Sequence, residues 1–211
     1  MSRRYRYFFY FLLLALASRL FGSGQEEKNL DMSWMGQTER WAEKSLGDSP
    51  SLTIGTHGCA LTSAAMVLQY YGIKTNPSKL NNWLLKNNGY EKGWDDEDGD
   101  YLGRVRMNWE VPVLGFDEIQ EFKRYDFRSE SADLPLIRSY IDKGFPVIAE
   151  VLRPGNIPHF IVLTGYKGEE FLIKDPLNRK TKTLGEGYNI SDEYGSGAGR
   201  NIYGIRVFIP Q

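Results

Sequence analysis

The clearest hydrophobic pattern in the chain predicts a helix over 59–71. Leu61, Ala65 and Leu68, with Ala64 and Val67 on the adjoining stripe, recur at the spacing of one helical face, and Gly72 supplies the stop. Asn76-Pro77 opens a second helix over 77–87, with Leu80, Leu84 and Leu85 turned inward. A third is predicted over 133–143, with Asp133 near its N-cap and Gly144 just past its end. A weaker pattern anchored on Trp41 gives a short helix over 37–44. Beyond residue 146 the period changes. The segments 147–152, 159–166, 171–175 and 202–209 are β-rich and are separated by Gly, Pro or charged turns, so they read as strands. The stretches 49–58 and 88–103 read as loops, the second of them acidic. Helices first and an antiparallel sheet afterwards is an α+β order.

One apolar run does not fit a domain core. Tyr7 to Ala17 is uncharged and follows Arg3, Arg4 and Arg6. A membrane-spanning helix needs roughly 20 apolar residues, so this run matches the central region of a secretory signal instead. Residues 1–24 are therefore expected to be a signal peptide, cleaved after Ala15-Leu16-Ala17 or Gly22-Ser23-Gly24. The competing expectation is an uncleaved anchor, with the run extended past Arg19 to Phe21. Residues 25–36 read as a polar leader and 37–211 as one domain, exported to the periplasm, the cell surface or the medium. No later run is long enough to span a membrane.

Charge and composition narrow the chemistry. Lys+Arg number 26 against 27 Asp+Glu, a balance that disfavours a nucleic-acid-coating protein. Loss of residues 1–24 removes four arginines and takes the formal charge from −1 to −5. There is one cysteine and there are two histidines, so no internal disulfide, no multi-cysteine zinc site and no His-rich metal centre can be built. No metal and no cofactor are expected. Catalysis, if present, falls to Cys59, His57, His159 and the carboxylates.

Cys59 stands at the start of the strongest helix, after Thr56-His57-Gly58. The unpaired N–H groups and the dipole at a helix start stabilise an anion there, which favours a thiolate. Gly58 would leave room for a substrate backbone. A lone cysteine is equally often a small buried hydrophobe. The hairpin that follows adds weight to the reactive reading. His159 opens one strand, Asp175 closes the next, and the turn Tyr166-Lys167-Gly168-Glu169 lies midway between them. A register centred on residue 167 would set His159 directly across from Asp175, with both side chains on one face. A carboxylate beside an imidazole fixes its tautomer and supports its charged form, and a thiol beside such a histidine is an activated nucleophile. A one-residue slip would break the pairing.

The run Gly58-Cys59-Ala60-Leu61-Thr62-Ser63-Ala64-Ala65-Met66-Val67-Leu68, followed by Tyr70-Tyr71-Gly72, resembles the nucleophile helix of stand-alone bacterial papain-like cysteine peptidases. These are grouped with the bacteriocin-processing peptidases, cysteine peptidase family thirty-nine. The resemblance extends to Gln37-x-x-x-Trp41, Thr53-Ile54-Gly55, His159-Phe160-Ile161-Val162-Leu163-Thr164-Gly165-Tyr166 and Asp175-Pro176. It implies a papain-like α+β fold, with the nucleophile helix packed on an antiparallel sheet. It also implies roles: Cys59 as nucleophile, His159 as general base and then acid, and Asp175 as the group that orients the histidine. Gln37 would donate to the oxyanion beside the Cys59 N–H. Gln37 lies 22 residues before Cys59, whereas the transporter-fused relatives hold this glutamine much closer.

Other signals carry less. Asp95-Asp96-Glu97-Asp98-Gly99-Asp100 fails the EF-hand pattern, because Gly99 at position 6 puts Trp94 at position 1. With Trp94, Tyr101 and Trp109 the loop could instead wall a cleft, which makes Trp109 a candidate substrate contact. His57 could tune the thiol, touch substrate or be a polar loop residue. Gly195-Ser196-Gly197-Ala198-Gly199-Arg200 precedes a strand, so it is no nucleotide fingerprint. Asn189-Ile190-Ser191 is a sequon by pattern only. The expected function is an exported cysteine peptidase acting on a peptide or protein through a thioester. The alternatives are a catalytically silent binding domain on the same scaffold, or amide transfer in place of hydrolysis.

Overall fold

The computed structural model describes residues 26–93, 102–127, 130–188 and 198–211. The signal region 1–24, the acidic run 95–100 and the Asn189 sequon lie outside the described residues.

Three helices follow the apolar periodicity closely. Counting α1 (Ile54–His57) first, α2 spans Cys59–Tyr70, α3 spans Pro77–Lys86 and α5 spans Leu134–Asp142; α4, Val111–Gly115, lies between the last two. Asn76 caps α3 by accepting from the Lys79 N–H, and Asp133 caps α5 by accepting from the Leu136 N–H. In α2 every residue from Leu61 to Leu68 is buried, so the helix is enclosed all round.

The strands are β1 (Glu27–Asn29), β2 (Tyr90–Lys92), β3 (Arg104–Met107), β4 (Ile119–Asp126), β5 (Val147–Arg153), β6 (Ile157–Lys167), β7 (Glu170–Lys174) and β8 (Gly204–Pro210). Two short helices, α6 (Leu184–Tyr188) and α7 (Ala198–Asn201), precede β8. The main sheet is antiparallel, in the order β1-β6-β5-β8-β4, with β7 on the other edge of β6; β2 and β3 pair apart. Both faces of the sheet are covered. Ile148, Val162 and Phe208 join the cluster that holds α2 and α3, while Val147, Ala149, Ile161, Leu163, Ile205 and Val207 join the cluster that holds α5. Central strands buried on both faces read as continuous apolar runs, which is why β5 and β6 were legible.

Several expectations need correction. The polar leader belongs to the fold: β1 pairs with β6, and Leu30, Met32 and Met35 are buried. The segment 37–44 forms turns rather than a helix, with the Trp41 indole donating to the Gly36 carbonyl at 2.8 Å. The loop 49–58 contains α1, opened by a reciprocal cap between Thr53 and Thr56. The loop 88–103 contains β2.

The hairpin of β6 and β7 is offset from the expected register. Lys167 pairs with Glu170, Tyr166 with Phe171 and Gly165 with Leu172; then Leu163 pairs with Ile173 and Val162 with Lys174. Thr164 is thus an extra residue, a β-bulge. Continuing the pairing past the bulge sets Asp175 opposite Ile161, not opposite His159. Since 159 and 161 are two apart on a strand, Asp175 and His159 still share a face and meet diagonally. Without the bulge, Asp175 would fall opposite residue 162 and face the other way.

At Gly165, just past the bulge, β1 also arrives. A Cβ at Gly165 would lie 2.1 Å from the Lys28 carbonyl oxygen and 2.9 Å from the Asn29 Cα. The obstacle is backbone, so it cannot swing away. Gly165→Ala is expected to lose about 1–3 kcal/mol of stability, the usual range for overpacking. Thermal unfolding checks this; an unchanged Tm would show that β1 yields freely.

Candidate active site

Cys59 is the first residue of α2 and is half-buried. The first N–H groups of a helix have no partner within it, so they remain available to an oxyanion. Gly58 has a structural duty as well. A Cβ there would sit 2.4 Å from the Ile54 carbonyl oxygen, so the missing side chain is required by the chain's own α1–α2 junction. Its N–H donates to that same oxygen at 2.8 Å.

His159 is 2% exposed and Asp175 is 4% exposed. His159 Nε2 and Asp175 Oδ1 are 2.9 Å apart. The Cys59 thiol is also within electrostatic reach of the imidazole and helps to raise its pKa. Since Nε2 faces the carboxylate, Nδ1 is the nitrogen left for sulfur. Burial alone would lower the His159 pKa, but hydrogen bonds and charge from Asp175 and Cys59 outweigh it and push it up to about 9. Burial likewise opposes the charge on Asp175. The His159 hydrogen bond and charge, the Leu177 N–H and the Tyr188 hydroxyl overcome that, and its carboxyl is held below its ordinary range.

Two residues that the sequence reading missed fix Asp175. The Tyr188 hydroxyl donates to Oδ2 at 2.9 Å, and its ring lies 6.1 Å from the His159 ring at 25°. The Trp34 indole donates to the Asp175 carbonyl at 2.7 Å. Neither residue stands in a motif, and one sequence carries no signal that would have found them.

Gln37 is 2% exposed and is held between the two parts of the site. Its backbone N–H donates to the Pro176 carbonyl, next to Asp175, at 2.8 Å. Its Nε2 donates to the Gly55 carbonyl in α1, also at 2.8 Å, and its Oε1 is buried without a partner. Nε2 has a second hydrogen beyond the one given to Gly55.

The remaining candidates are placed differently. His57 is exposed, and its Nδ1 lies 2.9 Å from the Thr56 hydroxyl. Partial desolvation of its ring, then the charge of Arg153, hold its pKa below the ordinary value. Trp109 is a core residue. It is 9% exposed and packs on Phe160 at 5.5 Å and on Phe122 and Phe208, each at 6.4 Å. It lines a cavity of about 380 Å³ with Arg106, Glu150 and Arg206, whose lining includes none of Cys59, His159 or Asp175.

Residues 30–196 match the model of the Peptidase_C39 like family. Among curated proteins, the mesentericin-Y105 transport/processing ATP-binding protein MesD of Leuconostoc mesenteroides is 28% identical over 151 residues, 72% of this chain. The lactococcin-G-processing and transport ATP-binding protein LagD of Lactococcus lactis subsp. lactis is 29% identical over 129 residues, 61% of this chain. The matched parts are only 17% and 15% of those proteins. A crystal structure described as a C39-like peptidase from Bacillus anthracis superposes with a TM-score of 0.51 at 18% identity, over 88% of this chain and 98% of that one. The last match shows the fold, papain-like α+β.

Proposed function

The chain belongs to the Peptidase_C39 like family of papain-like cysteine peptidases, and from that premise we propose that it hydrolyses peptide bonds with Cys59, His159 and Asp175. The observation that carries this reading is the buried His159 ring, hydrogen-bonded to Asp175 at 2.9 Å, with the Cys59 thiol at the start of α2 within its electrostatic reach. The Cys59 thiolate attacks the amide carbonyl carbon, and the carbonyl electrons move onto its oxygen. The Cys59 N–H and the free hydrogen on Gln37 Nε2 receive that oxyanion. As the tetrahedral species collapses, the C–N bond breaks and imidazolium His159 protonates the departing amine, leaving a thioester on Cys59. Water then attacks the thioester, His159 takes its proton, and Cys59 leaves as thiolate. Asp175 keeps the ring oriented throughout and supports its charge.

From the processing relatives this reading takes only the class of substrate, a peptide. Residues 1–24 are read as the export signal, which would bring the enzyme to substrates outside the cytoplasm.

The test is a pair of pH profiles. Peptide hydrolysis needs imidazolium to protonate the leaving amine, so it should fall as pH rises through about 9. Alkylation of Cys59 by iodoacetamide needs only thiolate and should not fall there. In His159→Ala, neutral-pH alkylation should drop, because the base that draws the thiol proton is gone. Equal labelling of wild type and His159→Ala at neutral pH would overturn the reading.

A further inference from the structure

Arg153 closes β5, and its cross-strand partner is Ile157; two residues back, Val151 faces His159. Residues two apart on a strand share a face, so Arg153 and His159 are diagonal neighbours, with a usual separation of about 7–8 Å. The charge of Arg153 is felt both at Tyr188, whose ring lies against His159, and at His57, two residues before Cys59. The guanidinium, on the His159 face of β5, is thus within electrostatic reach of both Tyr188 and His57.

Arg153 has no carboxylate partner among the described residues, unlike Arg206, which pairs with Glu150, and Arg124, which pairs with Asp126. It is half-buried, and its Nε is enclosed without a hydrogen-bond partner. A partly desolvated guanidinium favours an anion that can accept from its fork. Its neighbour Ile157 is 47% exposed, an apolar shelf beside the charge.

We infer that Arg153 is a specificity-determining residue that receives a carboxylate of the substrate on the leaving-amine side, with Ile157 supporting the aliphatic part that carries it. This rests on the peptidase reading for the identity of the substrate. The side follows from the chemistry: the departing amine must pass within reach of His159, and Arg153 is next along that face. The carboxylate could belong to an acidic side chain or to the free C-terminus of the peptide.

The first experiment needs no known substrate. The ratio of Cys59 alkylation rates with iodoacetate and iodoacetamide, at low ionic strength, reports a nearby cation. In Arg153→Gln the ratio should fall about 3–10-fold, as expected for loss of one charge at this range in a half-solvated site. In Arg153→Lys it should be largely kept. The neutral reagent controls for folding in each variant. An unchanged ratio in Arg153→Gln overturns the proposal. The second experiment uses hexapeptide libraries, with Glu or Gln at the two positions after the scissile bond and with a free or amidated C-terminus. Preference for Glu assigns the side chain, and preference for the free terminus assigns the end; both should vanish in Arg153→Gln. Equal cleavage of all arms by wild type overturns the proposal. If wild type cleaves nothing while the alkylation ratio still falls, the anion site stands and the peptidase reading fails.

Discussion

Cys59→Ala is expected to lower kcat/KM for peptide hydrolysis by a factor on the order of 10⁵ or more, the scale seen when the nucleophile of a covalent mechanism is removed. Nothing nearby can replace it, because the protein has no other cysteine. The fold should survive. Cys59 is half-buried at the helix start, outside the run Leu61–Leu68 that fills the core. Circular dichroism and Tm close to wild type, with hydrolysis gone, is the expected result. Cys59→Ser should be inactive as well, since a hydroxyl is far less ionised than a thiol at neutral pH. A Cys59→Ala protein that still turns over peptide would place the chemistry elsewhere.

The second large effect is expected at Asp175. Asp175→Asn preserves shape but removes the charge that His159, Tyr188 and the Leu177 N–H all address. In serine triads the equivalent change costs about 10⁴ in kcat. A thiol ionises more easily than a hydroxyl, so the loss here should be smaller, about 10³-fold, in kcat with KM little changed. The alkaline limb near 9 should move down at the same time, because the first of the effects that raise the His159 pKa is its bond to Asp175. Stability responds with a definite sign. His159 is raised from 6.5, so its contribution is full below 6.5 and is lost as pH rises through about 9. Asp175 is lowered from 3.8, so its contribution is present above 3.8 and is lost as pH falls through the depressed value. The pair thus stabilises the fold most between about 3.8 and 6.5. Asp175→Asn should lose Tm most in that window and less above pH 9, where the carboxylate keeps the Leu177 N–H and Tyr188 hydroxyl but faces a neutral imidazole. Equal losses at pH 5.5 and 9.5 would mean that shape, not charge, is what Asp175 supplies.

What was legible in the sequence was whatever repeats with a period. The nucleophile helix, α3, α5 and the four strands from β5 to β8 follow apolar spacing, because each buries a stripe or both faces. Elements without such a stripe were missed. β1 is Glu-Lys-Asn, β3 is Arg-Val-Arg-Met and β4 alternates charge with aromatic rings; each is partly exposed. α1 is four residues long and is held by a cap, too short for periodicity to register. At the site, Cys59, His159 and Asp175 were legible because their residue types are scarce or suit the hairpin. Gln37 was found only by resemblance. Tyr188 and Trp34 act on Asp175 from 13 and 141 residues away, a relation that exists only once the chain has folded.

The extra residue at Thr164 makes hairpin length, more than hairpin composition, the quantity on which the chemistry depends. A substitution at most positions between 160 and 174 alters packing by degrees. Gaining or losing one residue there acts like a reading-frame error, turning the carboxylate from the imidazole to the opposite core while leaving a hairpin of ordinary appearance. A change of two residues restores the frame. In aligning this chain with its kin, the odd or even count between histidine and aspartate therefore says more about competence than the identity of any residue between them.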